Sequence, residues 1–166
     1  AFMNYADVMN VLEDLVVDTF KYVSENCKKE LEIIGNKTIT PDHPFEKITY
    51  SQALNELKEK DVKLKFGDDL LDSHLRILGE NHPSFYFLTD WPIKLKPFYI
   101  AEKHDNVELS ESFDLQCGYL ELSSGGSRLH NPEKIKSRLK EQNLDPSKFS
   151  EHLQAFDWGM PPHAGW

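Results

Sequence analysis

Thiols and positive charge are the scarcest chemistries in this chain of 166 residues. Only two cysteines occur, Cys27 and Cys117. They lie far apart and form no C-x-x-C pair, so they encode neither a disulfide framework nor a zinc module, and a reducing, cytoplasmic compartment is expected. The seven histidines are scattered without metal-ligand spacing. No apolar run is long enough to cross a bilayer, and no charged-then-apolar leader opens the chain, so a soluble domain without membrane partners is expected. Lysine and arginine total 19 against 28 acidic residues, a formal net charge of -9. A surface that grips nucleic acid needs clustered cations, and only Lys94, Lys96 and the stretch 134–140 are locally basic. The net charge therefore argues against this segment being the main grip on a nucleic acid. What remains is ordinary: 39% hydrophobic and 28% charged residues suit one globular domain with a real core.

The patterning is that of an α+β domain with an antiparallel sheet flanked by helices. Val8, Leu12, Val16, Phe20, Val23, Cys27 and Leu31 recur every three or four positions, which predicts one amphipathic helix over 5–33. Turn formers fill 35–44. Ile48-Thr49-Tyr50 reads as a short extended lead into a helix capped by Ser51, and 68–80 holds a second helix. Residues 84–89 and 97–100 read as separate strands, punctuated by Pro92 and Pro97. Near the C-terminal end, Asn131-Pro132 and Asp145-Pro146 each announce a helix, with Gly159 as a stop.

The most informative stretch is 112–130. Strands over 113–117 and 120–123 meet across Gly118-Tyr119, where glycine at the first central position suits a type II′ turn. Cys117 then faces Leu120 and Gln116 faces Glu121. Leu115, Cys117, Leu120 and Leu122 form the face expected to be buried. Asp114, Gln116, Glu121 and Ser123 form the open one. Asp114 and Glu121 on one face can hold a divalent cation through oxygen, or they can simply form the wet side of a sheet. Ser124-Gly125-Gly126-Ser127-Arg128 follows, in which the glycines allow a positive φ and close approach of a ligand to backbone, and Arg128 offers a planar fork for carboxylate or phosphate. Glu121 and Ser124 are an odd number of residues apart, so only a bulge, expected near the glycines, brings them to one face. A structural bulge whose arginine pairs with a surface acid is the alternative.

Phe113-Asp114-Leu115 followed by the run from Leu120 to His130 resembles the strand pair of class II aspartyl-tRNA synthetases of the archaeal and eukaryotic kind. Residues 159–165, Gly-Met-Pro-Pro-His-Ala-Gly, look like the approach to that class's third motif. Thr89-Asp90-Trp91-Pro92, Lys96-Pro97-Phe98-Tyr99 and Ile48-Thr49-Tyr50 fit the same family, and Ala1-Phe2-Met3 resembles the end of the strand after its second motif. The resemblance implies that 1–166 is part of one catalytic domain, from after motif 2 to just inside motif 3. It implies activation of L-aspartate with ATP and Mg2+ to aspartyl-adenylate, then transfer to tRNA(Asp), by an enzyme that is a homodimer when complete. It places Glu121 at ATP and magnesium, Ser124 at metal and aspartate, Asp114 beside the metal, and Arg128 on the substrate's side-chain carboxylate. Gly125, Gly126, His163 and Gly165 would belong to the surrounding site loops. The family's first and second motifs are not in this sequence, and the third motif's arginine would follow Trp166, so the segment alone is expected to be inactive. A synthetase-related asparagine synthetase of archaea, or a non-catalytic module built on the same domain, are the competing readings.

Overall fold

The computed structural model describes residues 1–166. Its first helix, α1 (Tyr5–Asn26), opens on a capping box, with Asn4 accepting from the amides of Ala6 and Asp7 while the Asp7 carboxylate accepts from Asn4. The single helix expected over 5–33 is broken at Cys27, and α2 (Lys28–Ile34) ends at Gly35 in the left-handed conformation. Only the first half of the apolar stripe is fully buried, at Val8, Met9 and Leu12. Val16, Phe20, Val23, Cys27 and Leu31 are half-buried.

β1 (Glu46–Thr49) runs into α3 (Tyr50–Glu59), whose cap is Thr49 rather than Ser51. Thr49 Oγ1 accepts from the Gln52 amide at 3.2 Å and Gln52 Oε1 accepts from the Thr49 amide at 2.8 Å. The T-x-x-Q spacing carries that reciprocal pair, which a serine at 51 cannot form. The next helix, α4 (Asp72–Asn81), starts four residues later than expected. Asp68 instead closes a turn, its carboxylate accepting from the Lys65 amide at 2.7 Å.

β2 (Phe85–Thr89), β3 (Ser112–Cys117), β4 (Leu120–Arg128) and β5 (His163–Gly165) complete a five-stranded sheet in the order β1-β2-β3-β4-β5. Four strands pair antiparallel as expected, while β1 adds a parallel pairing to β2 through the α3–α4 crossover. Residues 97–100 form no strand. They make a turn, closed by the Ile100 amide on the Pro97 carbonyl, and Tyr99 and Ala101 bond beside the end of β4. α5 (Pro132–Glu141) and α6 (Ser150–Asp157) follow, the latter through a short 3-10 turn at Pro146–Phe149. Leu129, Ile135, Leu139, Leu153 and Phe156 pack there as a separate small core.

The sheet has two differently covered faces. Phe87, Phe113 and Leu115 pack on α1 through Val8, Met9 and Leu12. Tyr86 and Leu88 pack on α3 and α4 with Tyr50, Leu57, Leu78 and Trp91. α4 lies close to the hairpin, for a Cβ on Gly79 would stand 2.6 Å from the Tyr119 amide nitrogen.

His82, at the end of α4, ties this side together. Its Nδ1 is 2.7 Å from Glu46 of β1 and its Nε2 is 3.0 Å from Glu56 of α3. Burial pushes the imidazole's pKa down, but the two carboxylates outweigh it and hold the value above the ordinary 6.5. A raised folded-state value means that the imidazolium's contribution is fully present below pH 6.5 and is lost as pH rises through the raised value. Urea midpoints should therefore fall as pH rises from 6.5, and His82→Gln should flatten that slope. An equal slope in the variant would show that His82 is not its source.

Candidate active site

The β3–β4 hairpin has the expected turn: Gly118 takes a φ of 56° and Tyr119 stays outside the left-handed region. Cys117 faces Leu120 and Gln116 faces Glu121, also as expected. The register then shifts. Leu115 pairs with Ser123 and Asp114 with Ser124, leaving Leu122 as the extra residue of a β-bulge. The bulge lies upstream of the glycines, and its consequence is the one the spacing requires. Glu121 and Ser124 now share a face with Asp114 and Gln116, and Arg128 continues that row.

Burial departs from expectation on both faces. Leu115 is buried, but Leu120 and Leu122 are about half exposed, at 51% and 52%, because they lie at the hairpin tip beyond the apolar cluster under α1. Asp114 and Gln116 are not open: they keep 3% and 0% of their surface. The glycines also differ from expectation, since neither takes a left-handed φ and the close approach is made by the protein itself. A Cβ on Gly125 would stand 2.6 Å from the Gly165 carbonyl, and one on Gly126 2.6 Å from the Glu111 carbonyl.

Two adjoining cavities lie over the functional face. The larger, about 290 Å³, is lined by Asp69, Trp91, Lys96, Asp114, Gln116, Glu121 and Ser124 among others. The smaller, about 70 Å³, is bounded by Lys96, Tyr99, Asp114, Ser124 and Arg128 with backbone around them. Lys96, from the turn after the short helix Ile93–Leu95, reaches across to β3. Its ammonium donates to both oxygens of Asp114, at 3.0 and 2.9 Å, and lies 4.3 Å from the centre of the Trp91 ring. Burial raises the pKa of Asp114, and Lys96 only partly reverses this. At Glu121 desolvation again leads, and the nearby charge of Asp114 adds to it. Several acids therefore converge on a cavity with one committed cation.

Arg128 has no acidic partner. One guanidinium nitrogen donates to the Gly165 carbonyl at 3.3 Å, and the group lies 4.7 Å from the centre of the Tyr99 ring. The bulge-to-acid role considered as an alternative is thus not what this arginine does. Gly165 touches the site through that carbonyl. His163 pairs with Arg128 across β4 and β5, but its Nδ1 lies 2.9 Å from the Pro161 carbonyl, and it lines a further cavity of about 520 Å³ that Arg128 also borders. The lysines of that cavity, Lys103 and Lys134, are already paired with Asp90 and Glu102.

The fold is matched by known proteins. The family of class II tRNA synthetases (D, K and N) matches residues 1–166. The chain belongs to that family. The aspartate–tRNA(Asp/Asn) ligase of Methanothermobacter thermautotrophicus is 41% identical over 166 residues, which is all of this chain and 38% of that relative. The asparaginyl-tRNA synthetase of Pyrococcus horikoshii complexed with asparaginyl-adenylate superposes with a TM-score of 0.91 at 30% identity, over 99% of this chain and 39% of that one. The aspartyl-tRNA synthetase of Entamoeba histolytica superposes at 0.89 with 28% identity, over 99% of this chain and 36% of that one. This synthetase-family chain thus spans about two fifths of the length of the proteins it matches. None of its helices is long and apolar enough to cross a membrane.

Lys96, Asp69, Trp91 and Gln116 were not among the sequence-predicted site residues. Lys96 showed in the sequence only as local basicity. Its eighteen-residue separation from Asp114 carries no periodic signal. Replacing it leaves Asp114 buried without its cation, and because the cavity admits water the low end of the usual cost applies, about 3 kcal/mol. Lys96→Met should lose that much unfolding free energy, and adding Asp114→Asn should restore most of it. Equal stability of Lys96→Met and wild type would show that the pair is not a structural tie.

Proposed function

We propose that this chain is the part of an aspartate–tRNA ligase that binds L-aspartate and the metal-bound end of ATP, and that the complete protein forms aspartyl-adenylate and charges tRNA(Asp). The observation that carries the reading is Arg128: a guanidinium without an acidic partner, bordering a cavity of about 70 Å³ beside Ser124. A small anionic side chain fits a planar fork there, and the aromatic face of Tyr99 holds the fork in place. Lys96, although committed to Asp114, adds positive charge to the lining of the same cavity.

Magnesium is the cation class that the donors suit. It takes oxygen ligands and keeps waters and substrate phosphates, so one carboxylate and a hydroxyl from the protein suffice. Glu121 and Ser124 supply those oxygens on one face. Asp114 stands beside them with both oxygens held by Lys96, and no three acidic, histidine or cysteine side chains converge into a closed metal cage. When bound, such a cation would neutralise phosphate charge as the α-carboxylate of aspartate attacks the α-phosphate and pyrophosphate leaves. The chain's own residues orient the reactants: Arg128 fixes the amino acid by its far end, and the Lys96–Asp114 pair keeps the cavity floor rigid. Catalysis of this kind is positioning with charge stabilisation.

An asparagine-specific reading has one observation in its favour, the match to an asparaginyl-tRNA synthetase. Asparagine's amide carries no charge for Arg128 to meet. The two readings separate in the full-length protein with Arg128→Lys, titrating aspartate, asparagine and ATP separately. Removing one partner of a buried charged contact costs roughly 2–5 kcal/mol. At about 1.4 kcal/mol per decade, kcat/KM for aspartate should fall by roughly one and a half to three and a half decades. A defect confined to ATP, or wild-type preference for asparagine, would overturn the aspartate assignment.

A further inference from the structure

Gln116 retains no exposed surface, yet neither its Oε1 nor its Nε2 has a hydrogen-bond partner. Buried carboxamides are ordinarily satisfied, and an orphan of this kind points to a partner acquired during function. Gln116 sits directly opposite Glu121, in the last regular pair before the bulge, and both line the cavity of about 290 Å³. Side chains so placed have Cβ atoms about 4.5–5.5 Å apart, within reach of a carboxamide–carboxylate hydrogen bond. Glu121 itself is perturbed only by burial and by the charges around it, with no hydrogen bond to hold its carboxylate. On the other side of Gln116, in β2, stands Tyr86, whose buried hydroxyl is also without a partner. Burial and the charges of Glu56 and Glu46 push that hydroxyl up to about 12, so it keeps its proton as a donor.

We propose that Gln116 is a positioning residue for Glu121, donating from Nε2 to one carboxylate oxygen so that the other is turned toward the divalent cation. The inference rests on the proposed cation site at Glu121 and Ser124. Tyr86 completes the row by donating to Gln116 Oε1, which fixes the end of the amide that faces Glu121. A neutral donor is what this position needs. An ammonium would compete with the cation for Asp69 and Asp114, while a carboxylate would add one more negative charge. Metal-bound carboxylates are commonly steered by an outer hydrogen bond of this sort.

The test is Mn2+ binding to the full-length protein, followed by electron paramagnetic resonance, for wild type, Gln116→Met and Glu121→Gln, together with melting temperatures. Gln116→Met should weaken Mn2+ binding about 10–100-fold. Its melting temperature should be unchanged or higher, because an apolar side chain of similar shape replaces an unsatisfied amide. Unchanged Mn2+ affinity in Gln116→Met, where Glu121→Gln abolishes binding, overturns the positioning role alone. Mn2+ binding that survives Glu121→Gln overturns the cation site and this inference with it. A Gln116→Met protein that fails to fold also overturns the inference, since the amide would then be satisfied within the fold itself.

Discussion

One extra residue in one strand organises the candidate site. A regular β4 would present Ser123, Gly125 and Ser127 beside Glu121, and would turn Ser124 and Arg128 toward α1. The bulge at Leu122 reverses that alternation after Glu121. Ser124 and Arg128 then join Asp114, Gln116 and Glu121 on the face carrying the two adjoining cavities. The same shift sends Gly125 and Ser127 to the other face, where both are used. Gly125 leaves room for Phe113 and the Gly165 carbonyl, and Ser127 Oγ accepts from the Tyr5 amide at the start of α1. The bulge thus turns polar side chains toward the cavities on one side and allows close packing on the other, where the contacts at Gly125 leave no room for a Cβ.

Charge is distributed to match. Asp69, Asp114 and Glu121 surround one cavity, and the only cation among them, Lys96, is committed to Asp114. Burial first, and repulsion among the acids after it, raises the pKa values of both Asp114 and Glu121, a strain that a bound divalent cation would relieve. A few residues further along β4, Arg128 brings positive charge without an acidic partner. The face is therefore polarised along the strand, suited to a cation at one end and an anionic group at the other. An overall charge of -9 is no obstacle to this local arrangement.

Most local signals proved legible in the sequence, the Thr49 cap excepted, and long-range ones did not. The Gly118-Tyr119 turn, the Gln116–Glu121 pairing and the Asn131-Pro132 cap depend on residues close in the chain, and each was read correctly. The need for a bulge followed from parity alone, yet its place at Leu122, upstream of the glycines, did not. Leu120 and Leu122 carry an apolar pattern but no neighbour to bury it, so periodicity overstated the core at the hairpin tip. Gln116 reads as part of a wet face because the residues around it, Tyr86 of β2 and Leu75 and Trp91 of the same cavity, come from elsewhere in the chain. The strand expected over 97–100 is a turn, closed by the Ile100 amide on the Pro97 carbonyl, and Tyr99 and Ala101 make only isolated bonds to Leu129, Ser127 and Glu111. The resemblance supplied roles for Glu121, Ser124 and Arg128 that spacing by itself left open.

The central claim is that the bulge makes Glu121 and Ser124 a single oxygen site. The most direct measurement is an anomalous difference map from crystals of the full-length protein grown with Mn2+ and a non-hydrolysable ATP analogue. The account predicts one peak between the Glu121 carboxylate and the Ser124 hydroxyl, at about the 2.0–2.1 Å expected for a small hard cation, with Lys96 still on Asp114. A peak bound through Asp114 alone, or a cation touching Glu121 while Ser124 points to α1, would contradict it.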